Sequence, residues 1–299
     1  MPWGGHRLRH WVQADFPPEE KIGEAWLLSD HPHQSSVVAN GPLAGMTLGH
    51  LIAERSEELL GWKTDRFPLL IKLLDANENL SIQVHPDDEL ARTYAPKEGG
   101  KTEAWYVLEA DARAGIYLGL RPGAYHDLIR QAIAQATLPD RLLKYHPKPG
   151  DCYFVPAGTV HALGGGTVVL EVQQTSDATF RLFDWGRVGP DGKPRMLHID
   201  EGLACVQDAL PGAGLCAVRE MEDHWTRHVD CSFFSVDRHW GPGEVGLSGP
   251  DIVVGLAGIP RLGEGKLNPG QAALYPAGIN HWVQLNQGEA LAVIHVKNA

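Results

Sequence analysis

At 299 residues the chain has room for two modest domains or one large sheet structure. Its 43% hydrophobic and 21% charged residues are the balance of a soluble globular protein. A formal net charge of −11 gives no general attraction for nucleic acid or an anionic membrane, although local basic residues can still hold an anionic substrate.

The chain opens on MPWGGHRLRH, which lacks the apolar core of a signal peptide. The first clear element is a helix near 47–60. Thr47 is placed to cap it, Leu48, Leu51, Ile52, Leu59 and Leu60 recur at helical spacing, and Gly61 follows as a stop. A strand over Ser81–His85 comes next, then a short helix from Asp87 or Asp88, then a strand starting near Thr102. Residues 124–143 read as helix, with Leu128, Ile129, Ala132, Ile133, Leu142 and Leu143 on one apolar face. Most of the remainder reads as short strands, with Gly and Pro falling between the apolar runs. The longest apolar stretch, around Ile252–Ile259, is broken by glycines and too short to cross a bilayer. Cys152, Cys205, Cys216 and Cys231 show no C-x-x-C spacing and read as reduced core thiols, so a cytoplasmic location is expected.

Two segments repeat. Residues 149–161 are PGDCYFVPAGTVH and residues 269–281 are PGQAALYPAGINH, with the same Gly-to-His offset in both. Pro-Gly makes a tight turn into a strand, the later Gly permits a second turn, and the histidine starts the returning strand. This G-x5-P-x-G-x2-H pattern resembles the second motif of cupin barrels. Two copies predict a mainly β protein of two double-stranded jelly rolls with a few added helices. The division expected from the repeat is a catalytic barrel over 1–200, with a small helical insertion near 124–143, and a second barrel over 201–299.

Strand alternation picks out the chemistry. In SIQVH, Ile82 and Val84 face one side, Gln83 and His85 the other. In KTEAW, Glu103 points inward with Trp105 and Val107. His161 closes the first repeat. Gln83, His85, Glu103 and His161 thus offer N and O ligands from neighbouring strands, a donor set for a divalent first-row metal with zinc leading, one per chain. Taken singly, each has a plainer reading: His85 as a turn residue before Pro86, Gln83 as a surface amide, Glu103 in a pair with Lys101. In the second copy His281 has no upstream partner of the Q-V-H or K-T-E kind, so that barrel is expected to be metal-free. Further on, alternation puts Glu171 and Gln173 on one face. Arg181 is either an electrostatic stabiliser beside the metal or the partner of Asp177 or Asp184.

The blocks WGGHRLR (3–9), FPLLIKLLDANENLSIQVHPDD (67–88), GKTEAWYVLE (100–109), PGDCYFVPAGTVHALGGG (149–166) and QQTSDATFRLFDWGR (173–187) resemble the type I mannose-6-phosphate isomerases, particularly the short bacterial forms. The resemblance implies zinc on Gln83, His85, Glu103 and His161, an active-site arginine at Arg181, and Lys72, Lys101 and Ser81 near the substrate. It implies interconversion of mannose 6-phosphate and fructose 6-phosphate through a cis-enediol, with a small-molecule sugar phosphate as partner. Lys72, Lys101 and a metal-bound water are the three candidates for the proton carrier. Asp88 stands where larger relatives carry a lysine. The alternatives are an isomerase of unphosphorylated aldoses, a non-catalytic sugar-binding metal cupin, and an iron dioxygenase, against which the Q-V-H block counts.

Overall fold

The computed structural model describes residues 3–12, 14, 16–124, 126–189, 192–208 and 210–299. It resolves into two compact units built from interleaved segments: Met1–His6, Glu19–Glu24 and Leu74–Cys216 form the first, and Arg7–Pro18, Ala25–Leu73 and Ala217–Ala299 the second. The boundary at residue 200 is drawn from the sequence repeat and stands as a proposal about the duplicated barrels.

In the first unit one antiparallel sheet runs Thr167–Gln174, Glu103–Ala110, Cys152–Val155, Gly214–Leu215. A second runs Phe180–Phe183, Ile82–Val84, His161–Leu163, Ile116–Leu120, Leu142–Tyr145. The core between them takes alternate residues of each: Trp105, Val107, Tyr153, Val155 and Val169 from one, Ile116, Leu118 and Leu163 from the other. The opposite face of the second sheet buries Ile82, Val84, Ala162, Phe180 and Leu182 against Ile129, Ala132, Ile133, Leu203 and Cys205. Those partners come from the helices α3 (His126–Ala134) and α4 (Ile199–Cys205). The expected alternation through Ile82–Val84 is therefore realised, with its apolar pair under helices and Gln83 facing into the jelly roll.

The second unit has the same plan. Trp225–Asp230, Phe234–Trp240, Ala290–Val296, Asp251–Ala257 and Ala272–Tyr275 lie side by side. Gly243–Leu247 and His281–Leu285 belong to the smaller sheet, around a core of Val245, Leu247, Val253, Val283, Leu285, Leu291 and Val293. The helix expected near 47–60 is α1 (Leu48–Leu60): Thr47 Oγ1 accepts the His50 N–H, and Gly61 ends the helix at φ +88°. The short helix expected at Asp87 or Asp88 is α2 (Asp88–Tyr94), capped by Asp87.

One expectation is corrected. The helix over 124–143 covers only His126–Ala134, followed by a 3-10 turn at Leu138–Arg141 and the strand Leu142–Tyr145. Ala136 sits at φ +57°, outside helical space, and Pro139 at the start of the 3-10 turn has no N–H to continue an α-helix. Leu128 and Leu143, assigned to its apolar face, are exposed. Tyr125 lies outside the described residues. No described helix is long and apolar enough to cross a membrane.

Candidate metal centre

Gln83 lies within a strand and Glu103 and His161 each start one, so their strand neighbours fix their direction, and His85 follows directly after Ile82–Val84. Gln83 lies directly opposite His161 on one side and Arg181 on the other. Directly opposed residues of antiparallel strands project to the same face, so His161, Gln83 and Arg181 form one row into the jelly roll. From the facing sheet Glu103 lies opposite Val155 and Gln173, and Trp105 opposite Tyr153 and Glu171. Trp105 Nε1–H donates to Glu171 Oε2 at 2.9 Å, and its ring meets His161 edge-on at 5.4 Å.

Two turns hold these strands in register. Gly158, at φ +88°, donates its N–H to the His85 carbonyl at 2.9 Å and ties the second-motif turn to the Q-V-H block. Gly100 donates to Asp88 Oδ1 at 2.8 Å and Lys101 N–H to the Pro86 carbonyl at 3.0 Å. A side chain at Gly100 would start 2.5 Å from the Asp88 nitrogen, so only glycine permits that approach. Asp88 thus fastens the Q-V-H-P-D-D segment to the G-K-T-E segment.

His85, Glu103 and His161 converge, all but fully buried. His161 Nε2 is 3.3 Å from Glu103 Oε1, and His85 Nε2 is 3.6 Å from Glu103 Oε2. The tautomers follow from the other ring nitrogens: His85 Nδ1–H donates to the Ala178 carbonyl at 2.7 Å and His161 Nδ1–H to the Thr159 carbonyl at 2.8 Å. Backbone carbonyls in that position leave Nε2 as a lone pair. Burial pushes His161 down to about 4, despite its bond to Thr159, so the ring is neutral.

Two lone pairs therefore face one buried carboxylate, a donor set of the kind that holds a divalent metal. A tetrahedral ion with ligand bonds near 2.0–2.2 Å sets its donors about 3.3–3.6 Å apart, and the two histidine-to-carboxylate separations, one to each oxygen of Glu103, are of that size. The residues fit a divalent metal. Gln83 completes the set with one adjustment. Its Nε2 stands 3.4 Å from His161 Nε2 while Ser81 Oγ–H donates to its Oε1 at 3.3 Å, so the carbonyl oxygen reaches the centre once the amide turns over.

Lys101 lies against the same donors, with Nζ 3.1 Å from Glu103 Oε2 and 3.3 Å from His85 Nε2. Burial alone would lower its pKa, but the carboxylates of Glu103 and Glu171 outweigh it and raise the value. Arg181 makes no ion pair among the described residues: Asp184 is held by Arg187 and Arg195, at 2.5 Å each, and the Arg181 guanidinium donates to the Met196 carbonyl at 3.0 Å. Burial and the neighbouring Arg195 lower its pKa. Lys72 belongs to the second unit, where its ammonium stands 4.9 Å from the Trp26 ring centre.

The second barrel repeats the layout with different chemistry. Val155 and Tyr275 occupy the same place in the repeat, as do His161 and His281. Asp251 lies opposite Tyr275 as Glu103 lies opposite Val155, and His295 lies opposite Asp251 as Gln173 lies opposite Glu103. Asp251 is therefore the positional counterpart of Glu103, which strand order reveals and motif reading does not. Its carboxylate is engaged by His295 Nδ1 at 2.6 Å, and His295 Nε2 meets Asp237 Oδ2 at 3.1 Å. Arg227 clamps Asp237 with bonds of 2.8 and 2.9 Å. His281 packs against Tyr275 with ring centres 4.7 Å apart. Among the described residues the one cluster suited to a metal is His85, Glu103 and His161.

Comparison with known proteins gives the family. The family model described as "Phosphomannose isomerase type I, catalytic domain" matches residues 1–107. The mannose-6-phosphate isomerase of Streptococcus mutans is 38% identical over 94% of this chain and 90% of its own length. The mannose-6-phosphate isomerase ManA of Bacillus subtilis is 36% identical over 92% of this chain and 86% of its own. The crystal structure of the mannose 6-phosphate isomerase from Bacillus subtilis superposes with a TM-score of 0.87 at 34% identity, covering 98% of this chain and 96% of that one. With the jelly-roll fold shared and the similarity running nearly end to end, the chain belongs to the type I phosphomannose isomerases, a family of mannose-6-phosphate isomerase enzymes.

Proposed function

We propose that the chain interconverts mannose 6-phosphate and fructose 6-phosphate by moving a proton between adjacent carbons through a cis-enediol, with one zinc ion held by Gln83, His85, Glu103 and His161. The observation that carries this reading is the convergence of two imidazole lone pairs on the buried Glu103 carboxylate at metal-donor spacing. Nitrogen and oxygen donors without sulfur suit a catalytic zinc. Bound there, zinc supplies Lewis acidity toward the sugar's carbonyl and neighbouring hydroxyl oxygens.

The chain's own groups do the rest. The carbonyls of Thr159 and Ala178 hold both imidazoles with Nε2 inward. Arg181, in the same row as Gln83 and His161, offsets negative charge that grows on the sugar oxygens as the proton leaves. Lys101, 3.1 Å from Glu103 and 3.3 Å from His85, stands beside the proposed ligands as a candidate both to bind substrate and to carry the proton. Ser81 and Lys72 stand as further substrate-binding positions, with Lys72 also a candidate for the proton carrier.

The test is isomerisation of mannose 6-phosphate beside free mannose, with enzyme as purified, stripped by chelator, and restored with zinc. Loss on stripping and recovery with one zinc per chain is expected, with the phosphorylated sugar preferred. Full activity from protein shown to be metal-free sinks the zinc assignment. Arg181→Ala should lower turnover on the order of 10²–10³-fold with zinc content intact.

A further inference from the structure

Among the described residues Phe180–Phe183 is the edge strand of its sheet, paired only with Ile82–Val84. The main-chain N–H and C=O of Arg181 that face the open edge need partners other than a strand. One residue supplies both. Arg181 N–H donates to His198 Nδ1 at 3.2 Å, and His198 N–H donates to the Arg181 carbonyl at 2.8 Å. Two positions earlier the Met196 carbonyl accepts the guanidinium at 3.0 Å. The segment Met196–His198 thus grips the arginine at its backbone on both sides and at its tip.

His198 occupies the residue before α4, a position where a side chain often caps the helix, yet its ring makes no cap hydrogen bond. The ring is spent on Arg181 instead. It is steadied edge-on against Phe180, the preceding residue of the same strand, at 6.2 Å. Burial, then the charge of Arg181, lowers its pKa, which keeps the Nδ1 lone pair available to the Arg181 N–H.

We infer that His198 is a positioning residue for Arg181, setting where the guanidinium stands along the row of Gln83 and His161 and so the rate of the isomerisation step. The inference rests on the role given to Arg181 above. A displacement near 1 Å at a reacting centre costs up to roughly 10²-fold in rate, so the clamp matters although His198 acts through the arginine's main chain.

The experiment uses zinc-loaded enzyme and mannose 6-phosphate, with His198→Ala, His198→Asn, Arg181→Ala and the double variant His198→Ala/Arg181→Ala. Zinc content and melting temperature are measured for each. His198→Ala is expected to lower kcat on the order of 10–100-fold with KM little changed. His198→Asn offers an acceptor oxygen close to the lost Nδ1 and should recover most of the rate. Added to Arg181→Ala, the His198→Ala change should cost almost nothing more, because its effect runs through the arginine.

Equal losses in both backgrounds, a raised KM with kcat preserved, or no rescue by asparagine would each overturn the inference. Should His198→Ala fold poorly, His198→Gln replaces it, since it lacks an acceptor at the Nδ1 position while filling the same space. Wild-type turnover in Arg181→Ala would remove the arginine's role itself. An impaired Arg181→Ala beside a fully active His198→Ala would remove only the positioning role.

Discussion

Glu103→Gln separates the charge of the carboxylate from its shape. Glu103 is fully buried, with the Lys101 ammonium at 3.1 Å and the two imidazoles at 3.3 and 3.6 Å. Removing one partner of a buried ion pair strands the other, at a cost of about 3–5 kcal/mol. Two features place this case at the lower end. An amide oxygen at position 103 can still accept from Lys101, and Glu171 remains as a second source of negative potential on that lysine. A loss of about 3 kcal/mol lowers the melting temperature by roughly 6–12 °C for a domain of this size class. The assay is thermal unfolding in chelator, so that metal binding does not enter, followed by metal titration of both proteins. The variant should also hold zinc far more weakly, having lost the only anion among the proposed ligands. Melting within about 1 °C of the parent in chelator, too small a change for a broken buried pair, would refute the reasoning.

Two further outcomes follow from the second barrel and the turn. His295 sits between Asp251 and Asp237; burial alone would lower its pKa, but the two carboxylates raise it to about 9. A pKa raised on folding gives stability that is full below about 6.5, the ordinary histidine value, and lost as pH climbs through about 9. The melting temperature should therefore fall across that window and lose this slope in His295→Gln; identical pH profiles would contradict the assignment. Gly158→Ala must adopt φ +88° and meets Gln207 Cγ at 2.9 Å and the Cys205 carbonyl at 3.1 Å. It should cost about 1–3 kcal/mol in urea unfolding, with no change in midpoint as the contrary result.

The centre was legible because its signal is periodic and local. Ile82, Gln83 and Val84 alternate between a helix-covered face and the interior, and one residue of slippage would bury the amide under helices and turn the apolar pair inward. The same holds for Glu103 beside Trp105 and Val107. Thr47 and Gly61 bounded α1 because caps are chemical and sit within a turn of what they cap. The segment after Ala134 misled because its apolar spacing stays helical across a turn whose deciding features are the positive φ of Ala136 and the ring of Pro139. Here backbone geometry overrides pattern.

What no pattern announces is any group supplied by the main chain or by strand order. The carbonyls of Thr159 and Ala178 decide which imidazole nitrogen faces the centre, yet any residue type could provide a carbonyl. Asp251 stands in DIVVGLAG with nothing to mark it, and only its pairing with Tyr275 identifies it as the counterpart of Glu103. That counterpart has its positive partner within the chain itself. In the first barrel two imidazoles and the Lys101 ammonium surround the carboxylate. In the second the residue opposite the carboxylate is itself a cation: His295 bridges Asp251 and Asp237, and Arg227 completes the balance. Both solutions meet the same electrostatic demand, that a carboxylate held inside a sheet sandwich needs a positive partner within bonding distance.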